Sequence, residues 1–140
     1  MASPGPDYFS NENPHKGNRG ILRAWAALKN SISGLGFAIR EESAFRQELT
    51  LTAVLVPLAF FLPVLPSERV LMIGSVMLVL IVELLNSGVE AAIDRISYDQ
   101  HGLSKRAKDF GSAAVMLALL VCGFTWISLL WPMAMELLEN

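Results

Sequence analysis

The run Val70–Val82 is apolar and contains no turn signal, and it continues as a helical pattern to Ala92. That is enough chain to cross a bilayer, which takes about 20 residues. Yet Glu83, Asn86, Glu90 and Asp94 stand within it or just beyond it. On one helix turning by about 100° per residue, these four fall within roughly a quarter of the circumference. A carboxylate inside a membrane span costs on the order of 3 kcal/mol on insertion scales, so by default it marks a functional site. The competing reading is a polar seam that holds a helical bundle together. A lone Asn would suit the seam. Glu, Asn, Glu and Asp in register favour function.

Composition agrees with a membrane protein. The chain has 140 residues, 53% hydrophobic and only 17% charged, against about a quarter charged in soluble domains. A net charge of -2 excludes a generally basic nucleic-acid binder. The single cysteine, Cys122, lies in an apolar run, cannot form an intrachain disulfide and has no metal-ligand spacing with a His. It reads as a small buried apolar residue.

The expected organisation is all-α: a polar tail over 1–18, then one integral-membrane domain over 19–140. The tail has no apolar segment and is neither a secretory signal nor a transit peptide. A surface helix is predicted over 19–47. In it Ile21, Trp25, Leu28, Ile32, Leu35 and Ile39 recur every three or four residues, with Arg19, Arg23 and Lys29 elsewhere. Such a helix suits the membrane surface. Ser31, Ser33, Gly34 and Gly36 are predicted to bend or break it. The polar knot Glu41–Glu48 follows, in which Glu42 and Arg46 are four apart and predicted to pair. Its carboxylates are expected to face the same site as Glu83 and Glu90.

Spans are predicted over about 49–65, 70–92 and 111–131. Pro57 is expected to kink the first. Pro63 and Pro66, with Ser67-Glu68-Arg69, predict a tight hairpin after it. Residues 94–109 read as a charged connection. The third span opens on Gly111, Ser112, Ala113 and Ala114, small enough for close helix approach. Trp126 and Trp131 are expected as anchors at the far interface. Basic residues precede the first span (Lys16, Arg19, Arg23, Lys29, Arg40, Arg46) and lie between the second and third (Arg95, Lys105, Arg106, Lys108), whereas the first hairpin has only Arg69. The N-terminus and the 94–109 connection are therefore expected in the cytoplasm and the C-terminus on the opposite side.

The phosphate loop, the dinucleotide fingerprint, the zinc-protease helix, the Cys/His zinc set and the nucleophile elbow are all missing from the sequence. What remains is a carboxylate cluster beside Lys and Arg. Carboxylates with an amide are the hard oxygen ligands of Mg²⁺, which usually takes one or two of them plus substrate phosphates. Basic groups nearby can stabilise a transferring phosphoryl group. A carboxylate at the membrane boundary can take a proton from a lipid hydroxyl. Phosphoryl transfer from Mg-nucleotide to a lipid alcohol is thus coherent. A proton or cation pathway would use similar groups, although three spans would need an oligomer to enclose it.

Three segments carry a resemblance. Glu83-Leu84-Leu85-Asn86-Ser87-Gly88-Val89-Glu90-Ala91-Ala92-Ile93-Asp94, then Ala107-Lys108-Asp109-Phe110-Gly111-Ser112-Ala113-Ala114-Val115, and upstream Glu42-Ser43-Ala44-Phe45-Arg46-Gln47-Glu48 resemble the prokaryotic diacylglycerol kinase family. The resemblance runs from about Arg23 to Trp131. It implies a surface helix plus three transmembrane helices, a homotrimer with active sites shared between chains, and a multi-pass protein of the bacterial inner membrane. It implies transfer of the γ-phosphoryl of Mg-ATP to diacylglycerol, giving phosphatidic acid. By the same resemblance, Glu42 and Glu90 would hold Mg²⁺ and Glu83 would be the general base. Asn86 would orient the site, and Lys108 and Asp109 would serve the phosphates and the site's structure. Arg23, Asp94 and Arg106 would join the nucleotide-binding set. Lys105 stands where the family often has glycine. Relatives of this fold also phosphorylate undecaprenol, and a non-enzymatic bundle or cation pathway is the reading from another class.

Overall fold

The computed structural model describes residues 20–96 and 101–139. The polar tail predicted over 1–18 and the middle of the predicted 94–109 connection lie outside the described residues. Four helices follow in order: α1 (Ile21–Glu41), α2 (Ser43–Phe61), α3 (Pro66–Ile96) and α4 (Gly102–Glu139), with no strand among the described residues. The chain divides into two units, one ending at Gly36 and the other starting at Phe37.

In the first unit, α1 starts after Gly20, whose φ of 71° favours glycine. The Gly20 carbonyl accepts from Arg23 N and Ala24 N at 3.1 and 3.2 Å. The bend predicted at Ser31–Gly36 does not break the helix, which is continuous from Ile21 to Glu41. Ser31 Oγ donates to the Ala27 carbonyl one turn back at 3.0 Å, so the hydroxyl is satisfied without interrupting the ladder.

In the second unit, a single extended residue, Glu42, separates α1 from α2. The predicted Glu42–Arg46 pair does not form. Arg46 Nη1 instead donates to the carbonyls of Arg40 at 3.0 Å and Ile39 at 3.5 Å. The last carbonyls of a helix lack intrahelical partners, and a cation there also complements the helix dipole. That end is a better partner for Arg46 than the single half-buried carboxylate of Glu42.

The first span is shifted toward the N-terminus of its predicted range, because α2 stops at Phe61 and Leu62–Leu65 form the turn. Pro57 lies inside α2, and Pro66 is the first residue of α3, where its missing N–H is harmless. Glu68 Oε2 accepts from Leu65 N at 2.8 Å, closing the N-terminus of α3. Arg69 spans the turn, with Nε donating to the Ala59 carbonyl at 2.9 Å and Nη2 to that of Leu62 at 3.2 Å.

The second and third helices outrun their predicted spans. At 1.5 Å per residue, α3 is about 46 Å long and α4 about 57 Å, against a hydrocarbon core of about 30 Å. Both are therefore longer than the hydrocarbon core. The predicted connection over 94–109 is corrected accordingly. Asp94 and Arg95 belong to α3, while Lys105, Arg106, Lys108 and Asp109 belong to α4. Charged residues at the ends of spans favour water, and helix is as open to them as loop. α4 also continues through Pro132.

α3 packs against both α2 and α4. Its buried positions are Met72, Ser75, Val76, Val79 and Glu83, spaced by three or four as one helical face requires. With Ala59 of α2 and Ala118, Cys122 and Trp126 of α4, the apolar members of that face make the core. Cys122 is buried and free, as expected. Trp126 is not an interfacial anchor. It is buried, and its Nε1 donates to the Met72 carbonyl across the helix pair at 3.2 Å. Trp131 is exposed. Among the described residues, three helices are long and apolar enough to cross a membrane.

Candidate active site

The buried stripe of α3 changes character at Glu83. Below it are Met72, Val76 and Val79; above it, on the same face, come Asn86, Glu90 and Asp94, all half-buried. Glu83 is 4% exposed. It lies within electrostatic reach of Glu90 on its own helix and of Glu42 at the start of α2. Glu48, one helical turn beyond Phe45, lies within reach of Glu83 as well. The polar knot before the first span and the α3 stripe therefore meet in one place.

Asn86 sits at the centre of this group. Its Nδ2 donates to Glu90 Oε1 at 3.3 Å. Its Oδ1 is buried with no hydrogen-bond partner, as is Glu48 Oε2. Leaving a buried acceptor unpaired costs about 1–3 kcal/mol, and such atoms in a site invite an outside donor or cation.

The first turns of α4 close the site from the other side. Lys108 Nζ donates to Asp94 Oδ1 at 2.6 Å, an ion pair whose side chains are 37% and 43% exposed. At that exposure solvent screening leaves it little weight in stability, so its value is in placing the ammonium. Lys108 also lies within electrostatic reach of Glu90.

The structure thus brings together Glu42, Glu83, Asn86, Glu90, Asp94 and Lys108 of the predicted set. Arg106 and Asp109 are exposed on the same end of α4 and make no ion pair with this group. Arg23 is exposed on α1 in the first unit. Glu48 was given no individual role from the sequence. The available signal was its position on the face of Phe45 and Thr52, the buried side of α2.

Among the described residues, no three His, Cys, Asp or Glu side chains converge tightly enough to hold a metal alone. The donor set is nonetheless all hard oxygen, with two orphaned acceptors. That fits a divalent cation sharing its coordination with water and phosphate, and not a closed all-protein site.

The sequence matches the family model "Prokaryotic diacylglycerol kinase" over residues 29–130. It is 50% identical over 117 residues to the diacylglycerol kinase of Pseudomonas aeruginosa, covering 84% of this chain and 95% of the relative. It is 46% identical over 112 residues to that of Haemophilus influenzae, covering 80% and 95%. Against that of Escherichia coli K12 it is 50% identical over 112 residues, covering 80% and 92%.

Proposed function

The chain belongs to the prokaryotic diacylglycerol kinase family, and from that premise we propose how its own residues carry the reaction. The protein is a membrane kinase that phosphorylates diacylglycerol. We read the donor as the γ-phosphoryl of Mg-ATP and the product as phosphatidic acid. The observation that carries the site assignment is the gathering of Glu42, Glu48 and Glu90 around buried Glu83, where the apolar stripe of α3 turns polar.

In this reading Glu83 accepts the proton of the acceptor hydroxyl, since it is the α3 carboxylate closest to the apolar run of the span and so to the depth of a membrane lipid. Glu90 and Glu42 would hold Mg²⁺, which when bound would neutralise charge on the phosphates. Asn86 holds Glu90 in place through its Nδ2. Lys108, anchored by Asp94, presents its ammonium to the phosphates. Asp109 supports the start of α4, and Arg106 completes the nucleotide side.

We further infer a homotrimer with sites shared between chains. Support comes from the openness of the site in one chain, where Glu42, Glu90 and Asp94 are only half-buried. It also comes from large apolar residues exposed along α2, α3 and α4. From the distribution of basic residues we assign the N-terminus and the 94–109 segment to the cytoplasm, and the protein to the bacterial inner membrane with its C-terminus in the periplasm.

The test is label transfer from Mg-ATP by purified protein in mixed micelles, offering diacylglycerol and undecaprenol separately, with Glu90→Gln alongside. Labelled phosphatidic acid from wild type only is the expected result. Undiminished transfer by Glu90→Gln would overturn the site assignment. Label in undecaprenyl phosphate alone would overturn the acceptor.

A further inference from the structure

Among the glycines of the described residues, Gly111 is the one whose missing side chain is filled by a site residue. A Cβ built there would overlap Asn86 Oδ1 and lie 3.2 Å from Asn86 Cγ and 3.7 Å from Asn86 Cβ. At Gly34, Gly36, Gly74, Gly88, Gly102 and Gly123 a Cβ would meet nothing within 4 Å. The Asn86 carboxamide therefore occupies the space that a side chain on α4 would take. Its oxygen is buried there without a partner while its nitrogen reaches Glu90 Oε1.

We propose that Gly111 is a positioning residue for the kinase reaction: by presenting bare backbone to α3, it holds the Asn86 carboxamide in the orientation that aims Nδ2 at Glu90. The three nearest atoms that a Cβ would meet across the helix pair all belong to the Asn86 side chain. An added methyl group thus turns the amide aside at little expense to the helix pair. A broken Asn86–Glu90 bond leaves Glu90 free to rotate. Supporting partners of metal-binding groups are worth about 10–100-fold in affinity or activity. The inference rests on the kinase reading, with Asn86 and Glu90 in the site.

The experiment compares wild type with Gly111→Ala, Asn86→Ala, the double variant and the control Gly123→Ala, in micelles with diacylglycerol and Mg-ATP. Gly111→Ala is expected to keep its unfolding midpoint and its KM for diacylglycerol. Its kcat falls by about ten-fold or more and its half-activating Mg²⁺ concentration rises. Gly123→Ala behaves as wild type. Wild-type kcat and Mg²⁺ response in Gly111→Ala, beside an impaired Asn86→Ala, would remove this inference alone. Full turnover in Asn86→Ala would remove the site reading and this inference with it. If Gly111→Ala does not fold, the double variant decides. Folding equal to that of Asn86→Ala supports the steric contact, because the clashing group is gone. A double variant as unfolded as Gly111→Ala overturns it.

Discussion

Lys108 Nζ on α4 and Asp94 Oδ1 on α3 lie 2.6 Å apart, one helical turn beyond Glu90. The contact joins the two helices where their shared core has already ended, and both side chains are more than a third exposed. A pair so exposed adds little stability but fixes where the ammonium points.

Lys108→Met is therefore expected to lower kcat by about 100-fold or more while shifting thermal unfolding only slightly. Asp94→Asn keeps the charge on Lys108 and loses its anchor, so its turnover falls less. Equal loss in both variants would show that Asp94 acts on the reaction directly. Steady-state kinetics with circular dichroism melts in micelles make the comparison.

Asn86→Ala removes the donor that holds Glu90 Oε1. The expected outcome is a rise of about 10–100-fold in the Mg²⁺ concentration for half-maximal activity, read from Mg²⁺ titrations at fixed ATP. Because Asn86 Oδ1 is unpaired in the folded chain, the same variant loses no bond at that atom. Its unfolding free energy stays within about 1 kcal/mol of wild type.

Glu42 and Arg46 provide a test of a pair that does not form. Since Arg46 bonds the carbonyls of Arg40 and Ile39, a double-mutant cycle on stability should give a coupling near zero. Arg46→Ala alone destabilises by about 1–3 kcal/mol through the lost charge-assisted bonds. Glu42→Gln alone is expected to impair turnover and leave stability unchanged.

Trp126→Phe keeps most of the core volume and loses the bond from Nε1 to the Met72 carbonyl. A loss of about 0.5–1.5 kcal/mol is expected, measured by denaturant unfolding in micelles. Turnover should be unaffected, because Trp126 packs with Met72 and Cys122 in the apolar core and not with the carboxylates.

Much of this protein was legible in the sequence, and for a local reason. Helical periodicity repeats every three or four residues, so the Met72–Glu83 face of α3 and its continuation through Asn86, Glu90 and Asp94 follow from spacing alone. The cost of carboxylates in an apolar run marked that stripe as a site, and the motifs over 83–94 and 107–115 pointed to the family that the comparisons establish.

Tertiary structure decided the partners. Arg46 had an acidic residue at helical spacing, yet the end of α1 was within reach and offered unpaired carbonyls. Trp126 had the composition of an interfacial anchor, but the crossing of α3 and α4 placed the Met72 carbonyl where its N–H is satisfied inside. Glu48 joined the site because the packing of α2 on α3 turned the Phe45 face inward. The contact of Asn86 with Gly111 depends on the register of two helices separated by the α3–α4 connection. Spacing along one helix sets which residues share a face. Only the packing of helices against each other sets what that face meets.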